Sequence, residues 1–208
     1  MNVRLAVEDH LSETVLRRIL IDSKQTFEVE FTYPERRRGS QTKFPNGWGD
    51  LYKNREAFAV TSATVPVFLL VDLDDRGCAA KMRADWEKNI APCSNFLIRI
   101  AVHEVESWVL ADFEGLMEFL QVSKQTPLSS VDEIRDPKEQ IIRYAALSRN
   151  EEIRRDMLPI GSGIVGRGYS TMMSSFVRDL WNPRTAAEHS DSLGRAIRAF
   201  EGFKKKVL

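Results

Sequence analysis

The chain has 208 residues, 43% of them hydrophobic, and thirty basic residues balance thirty acidic ones. That length suits one domain, or one domain with a helical extension, and the apolar content excludes a disordered chain. Zero net charge excludes a polyanion binder driven by overall charge and leaves such a role to local basic patches.

Val3 to Val7 is the first predicted strand, closed by Glu8 and Asp9. The N-terminal stretch carries acids where a secretory signal needs apolar residues. No apolar run approaches the roughly 20 residues that cross a membrane, so a cytoplasmic protein without membrane contact is expected. Ser12 is the expected N-cap of a helix that carries Val15, Leu16, Ile19 and Leu20 at helical spacing. Phe27 to Tyr33 alternates apolar and polar residues and reads as strand two. Pro34 to Gly49 is a turn-rich basic loop, with Arg36, Arg37, Arg38 and Lys43. A helix follows from Leu51 to Thr61.

The third strand is the most informative stretch. Val65 to Val71 is apolar without alternation, as in a strand buried on both faces of a parallel sheet, and it runs into Asp72, Asp74 and Asp75. Ala79 to Ile90 is a helix, Asn95 to His103 a fourth strand, and Glu106 to Leu120 another helix. Cys78 and Cys93 lack CxxC spacing and read as reduced thiols. The β-α alternation over residues 1–120 predicts an α/β core with a mostly parallel central sheet. Residues 121–208 change character: helical patterns at Asp136–Leu147, Glu151–Met157, Ser170–Leu180 and Asp191–Lys205 predict a helical extension packed on that core.

Three predicted strands end in acids: Glu8 after strand one, Asp72 and Asp74 after strand three, Glu104 after strand four with Glu106 just beyond. In a parallel sheet these ends share one edge, where α/β proteins build their sites. A strand would also point Asp72 and Asp74 to the same face. Close carboxylates repel unless a cation or proton lies between them. Carboxylate oxygens suit Mg2+ or Mn2+, whereas zinc prefers His and Cys.

Glu8, Asp72-x-Asp74 and the β-α alternation between them resemble the Toprim fold. That fold is the catalytic domain of topoisomerases, DnaG-type primases and the overcoming-lysogenization-defect nucleases. Val7–Glu13, Val71–Asp74, Ala101–Asp112 and Asp136-Pro137-Lys138 are similar to a narrower bacterial family of small Toprim-like proteins, often encoded beside an ATPase. The resemblance covers most of the chain. One departure is Asp9, which stands where the Toprim Glu is typically followed by Gly.

The resemblance implies metal-dependent phosphoryl transfer. No domain for a topoisomerase tyrosine is recognisable, so hydrolysis by a nuclease is the expectation, with an ATPase partner in phage defence. Asp72 and Asp74 then hold one Mg2+ or Mn2+, and Glu8 shares it or activates water. Glu104 or Glu106 helps hold a second ion. Pro137 suits a first helical position, which places Lys138 in the first turn as the cation for phosphate charge. Arg36, Arg37, Arg38 and Lys43 form the expected nucleic-acid contact, on DNA by preference, with Trp48 able to stack a base.

Two other readings remain open. One is a non-catalytic partner of the ATPase that keeps the acidic fold. The other is a phosphoacceptor receiver, which the long helical tail, Glu104 and Glu106 fit poorly.

Overall fold

The computed structural model of the chain describes residues 2–22, 31–32, 47–123 and 130–207. Four parallel strands form one sheet: β1 (Val3–Ala6), β2 (Phe31–Thr32), β3 (Val67–Asp72) and β4 (Phe96–Ala101), in the order β2-β1-β3-β4. The apolar run at residues 67–71 is wholly buried at the centre of that sheet. Its residues alternate between two cores. Phe68 and Leu70 face one layer, and Val67, Leu69 and Val71 face the other.

The first layer is thick. It holds α1 (His10–Asp22), α4 (Val105–Leu110), α8 (Tyr169–Asp179) and α10 (Asp191–Val207), among others. The second layer is thin, with α2 (Trp48–Thr61) and α3 (Ala79–Glu87) packed through Leu51, Met82 and Trp86. Helices α5 (Phe113–Phe119), α6 (Pro137–Ala146), α7 (Glu151–Met157) and α9 (Pro183–His189) complete the described residues, with one 3-10 turn at Val131–Glu133. The chain is thus an α/β protein with a parallel sheet, flanking helices and a helical C-terminal part. The larger core runs without interruption from Val3 to Phe200.

Several local expectations need correction. Helix α1 begins at His10, and its cap is Asp9: Asp9 Oδ1 accepts the Ser12 N–H at 2.8 Å, which leaves Ser12 in the first turn. An aspartate three residues before a free helical N–H is the stronger acceptor there. Trp48 and Gly49, read as loop, open α2. The predicted helix from Glu106 to Leu120 is two helices, because Asp112 leaves helical geometry at φ −84° and ψ 64°. Helix α9 was not expected. Pro183 starts it, and Asn182 caps it by accepting the N–H groups of Arg184 and Thr185. Of the predicted second strand, Phe31–Thr32 is described; the rest of it and Arg36, Arg37, Arg38 and Lys43 lie outside the described residues.

All six residues of α4 are buried. Its neighbours hold it by polar contacts as well as packing. Trp108 Nε1–H donates to Ser192 Oγ at 2.7 Å, and Trp181 Nε1–H donates to the Trp108 carbonyl at 3.2 Å. Asp112, 5% exposed, accepts the Asn182 N–H at 2.7 Å. Asp112→Ala removes that carboxylate acceptor from the part-buried Asn182 N–H and is expected to destabilise the protein by about 1–3 kcal/mol. Urea unfolding checks it; an unchanged midpoint would count against this tie between α5 and α9.

Candidate functional site

The strand order reverses between β1 and β3: the chain leaves β1 for β2 on one side and returns to β3 on the other. Such a switch point opens a crevice at the carboxyl ends of the strands. Glu8 follows β1 and Asp72 ends β3, so both stand at its mouth. Glu8 Oε1 accepts the Asp72 N–H at 3.1 Å. Asp72 Oδ1 accepts the Val105 N–H at 2.9 Å, at the first residue of α4.

Asp72 continues the alternation of Phe68 and Leu70 and so faces the layer of α1 and α4. Asp74 does not share that face. The strand ends at Asp72, and the chain turns left-handed at Asp74, φ 47°. His103 after β4 is also left-handed, at φ 61°, and its carbonyl accepts the Asp74 N–H at 2.7 Å. Asp and His tolerate this region better than most side chains. Two linked left-handed residues therefore shape the edge. The turn leaves Asp74 exposed and paired with Arg76, which corrects the strand-face expectation for this pair.

Glu104 ends the β4 turn, and Glu106 lies in the first turn of α4, 3% exposed. Asp136 accepts the Glu139 N–H at 2.7 Å and caps α6, with Pro137 at its start. Lys138 thus falls in the first turn, as the sequence implies. Its Nζ lies 3.1 Å from Glu104 Oε1 and 3.3 Å from Glu106 Oε1. Tyr169, at the start of α8, donates its hydroxyl to Glu106 Oε1 at 3.3 Å. Glu104 Oε2 is buried with no hydrogen-bond partner among the described residues.

The electrostatics follow from burial. Asp72 is pushed well above the usual carboxylate range, first by loss of water and then by the charges of Glu106, Glu8, Asp9 and Asp74. Glu106 is raised to about 7 by burial, opposed by Lys138 and assisted by Glu104 and Asp9. Glu8 is raised by burial and Asp74, against the Asp72 N–H and Arg76. Burial lowers the affinity of Lys138 for its proton, but Glu106 and Glu104 reverse this and hold it charged.

The structure thus gathers Glu8, Asp72, Asp74, Glu104, Glu106 and Lys138 on one edge. Sequence reasoning met Asp9 as a departure from the Toprim pattern, either a further acid near the site or a different turn, and missed Arg76 and Tyr169. Tyr169 follows a glycine-rich loop, and no spacing links it to residue 106. Among the described residues, no three His, Cys, Asp or Glu side chains are arranged as a ready metal cage. The donor chemistry still fits a hard divalent cation: all the acids offer oxygen, three are raised by crowding and burial, and Glu104 Oε2 has no partner.

The fold and edge define an α/β protein with a largely half-buried carboxylate cluster at a sheet switch point. Residues 7–155 match the family model described as a domain of unknown function, DUF4276, and the chain belongs to that family. The match includes all six gathered residues; Tyr169 lies beyond it. No curated protein and no solved structure matches the chain. No helix among the described residues is long and apolar enough to cross a membrane.

The raised carboxyl groups make stability depend on pH. Glu106 ordinarily titrates near 4.5 and is raised to about 7 in the fold. The folded state therefore holds more protons than the unfolded one across that interval. Its stabilising contribution is present below pH 4.5 and is lost as pH rises through 7. The loss is on the order of 3 kcal/mol for Glu106 at full effect, and Asp72 and Glu8 act in the same direction. Glu106→Gln should flatten the fall in urea-unfolding stability between pH 5 and 8, measured in EDTA. Equal slopes for the two proteins would contradict the assignment.

Proposed function

We propose that the protein is a divalent-metal-dependent nuclease acting at the carboxyl edge of the sheet. The observation that carries this reading is the half-buried Asp72 carboxylate, flanked by Glu8, Glu106, Asp9 and Asp74, at the switch-point crevice. An enzyme that needs a strong anionic site must gather acids against their mutual repulsion. The resemblance to the Toprim fold supports the same chemistry, and by that resemblance an ATPase partner and a part in phage defence belong to the proposal.

Asp72, Asp74 and Glu8 would hold Mg2+ or Mn2+, with Glu104 or Glu106 toward a second ion. The ion supplies charge stabilisation on the phosphate and a more acidic water. The chain's own groups do the rest. Glu8 is the candidate base, since its raised pKa brings it nearer to working pH. Lys138 keeps Glu104 and Glu106 compatible in one place and provides the cation beside them. Tyr169 orients Glu106. A non-catalytic role beside an ATPase is the second reading, favoured by the engagement of Glu104 and Glu106 with Lys138 in place of a ready cage.

Asp72→Asn is the informative change. The amide oxygen can still accept the Val105 N–H, so the fold is retained, but the charge is gone. Plasmid nicking with Mn2+ or Mg2+, alone and with a candidate ATPase partner, should fall by ~100-fold or more in this variant. Robust cleavage by purified Asp72→Asn protein would place the activity elsewhere. No cleavage by the native chain with any metal, substrate or partner would favour the non-catalytic reading.

Metal binding is testable without activity. Adding Mn2+ should raise the melting temperature of the native chain, since a ligand that binds only the folded state stabilises it. The rise should vanish in Asp72→Asn/Asp74→Asn. An equal rise in both would move the ion away from this edge.

A further inference from the structure

The thin layer of α2 and α3 carries a cleft of about 450 Å3 beside the acidic edge. Its walls are aromatic. Trp48 and Tyr52 sit four residues apart on α2 and stack, with centroids 5.3 Å apart and planes within 2°. Trp86 of α3 meets both edge-on, at 5.9 Å and 5.4 Å. The indole Nε1 atoms of Trp48 and Trp86 are shielded from solvent, and neither has a hydrogen-bond partner among the described residues.

The rim is cationic. Arg76, Lys81 and Lys88 face one acid, Asp85. Arg76 also joins the cleft to the proposed active site: its guanidinium lies 4.8 Å from the Trp48 ring centroid and pairs with Asp74. The start of α2 lies against the same edge, since a Cβ on Gly47 would stand 3.7 Å from Glu8 Oε2.

We propose that this cleft takes a nucleobase from a single-stranded segment of nucleic acid and holds the strand beside the acidic edge. A base presents a flat π face that can take the place of the Arg76 guanidinium over the Trp48 ring. Its phosphates meet Arg76, Lys81 and Lys88. A lone phosphate would leave the aromatic walls unused, and a purely apolar ligand would leave the cationic rim unused. The volume is in the range of small-ligand pockets, roughly 300–1,000 Å3. The purpose of the cleft rests on the nuclease reading; its binding chemistry does not.

The test is binding in EDTA, where metal-dependent cleavage is silent. An oligothymidylate of about ten nucleotides, within the span such sites cover, is titrated against the full chain. Tryptophan quenching and the anisotropy of a labelled oligomer are the readouts. Trp48→Ala should weaken binding by about 5- to 100-fold, as loss of one stacking contact does. Lys81→Ala/Lys88→Ala, two exposed changes, should flatten the log Kd against log salt slope by about 1.4, for two phosphate contacts on a single strand. This second variant decides the matter if Trp48→Ala does not fold.

No saturable binding at low salt would overturn the proposal. So would equal affinity for native and folded Trp48→Ala protein, or an unchanged salt slope in the double variant. Thymidine monophosphate bound as tightly as the oligomer would overturn the strand in favour of a free nucleotide. The two proposals fail separately. Binding that needs Trp48, with no cleavage under any condition, keeps the cleft and removes the nuclease. Cleavage with undiminished binding in Trp48→Ala does the reverse.

Discussion

The Asp72 carboxylate accepts the Val105 N–H at 2.9 Å, and this bond joins the centre of the sheet to the start of its most buried helix. A helix start leaves backbone N–H groups without partners, and α4 has little water nearby to satisfy them. A carboxylate there meets both a donor and the positive end of the helix. Glu8 repeats the device one strand away by accepting the Asp72 N–H. The ends of β1 and β3 and the start of α4 are thereby fixed to one another through two acids.

That arrangement has an electrostatic cost. Glu8, Asp72 and Glu106 all have raised pKa values, and burial is the first cause in each. The partial remedy comes from the C-terminal half. Lys138 of α6 sits between Glu104 and Glu106, and Tyr169 of α8 donates to Glu106. The acids come from the sheet, but the cation and hydroxyl that make them tolerable come from helices that pack over it. A buried carboxylate without such partners takes up a proton instead.

The parts of this edge that could be read from sequence were those with a one-dimensional signature. The apolar run ending at Asp72 marks the central strand because burial on both faces suppresses alternation. Asp136-Pro137-Lys138 marks a helix start because its cap, its fixed φ and its first-turn cation are adjacent. Other features depend on distant partners or subtle backbone choices. Tyr169 reaches Glu106 across sixty-three residues. The break at Asp112 arises because its carboxylate serves Asn182, seventy residues on. The turn at Asp74 depends on the His103 carbonyl from the next strand. No periodicity records such pairings, so Asp72 and Asp74 look equivalent in sequence and are not: one is half-buried, the other exposed.

The unequal thickness of the two layers decides where else a ligand can enter. The α1, α4, α8 and α10 side is filled by a continuous core, and Phe68 meets Phe200 across it at 5.1 Å. The α2 and α3 side has two helices, and α2 buries only Leu51 completely. Trp48 and Tyr52 therefore stay half-buried and line a cleft. Arg76 is common to this cleft and the acidic edge, because the left-handed turn at Asp74 brings it back over Trp48. A guanidinium between a carboxylate and an indole is held by both, one through charge and the other through its π face. Neutralising Asp74 removes the stronger of these attractions, and covering Trp48 removes the other. Arg76 is thus shared between the acidic edge and the cleft.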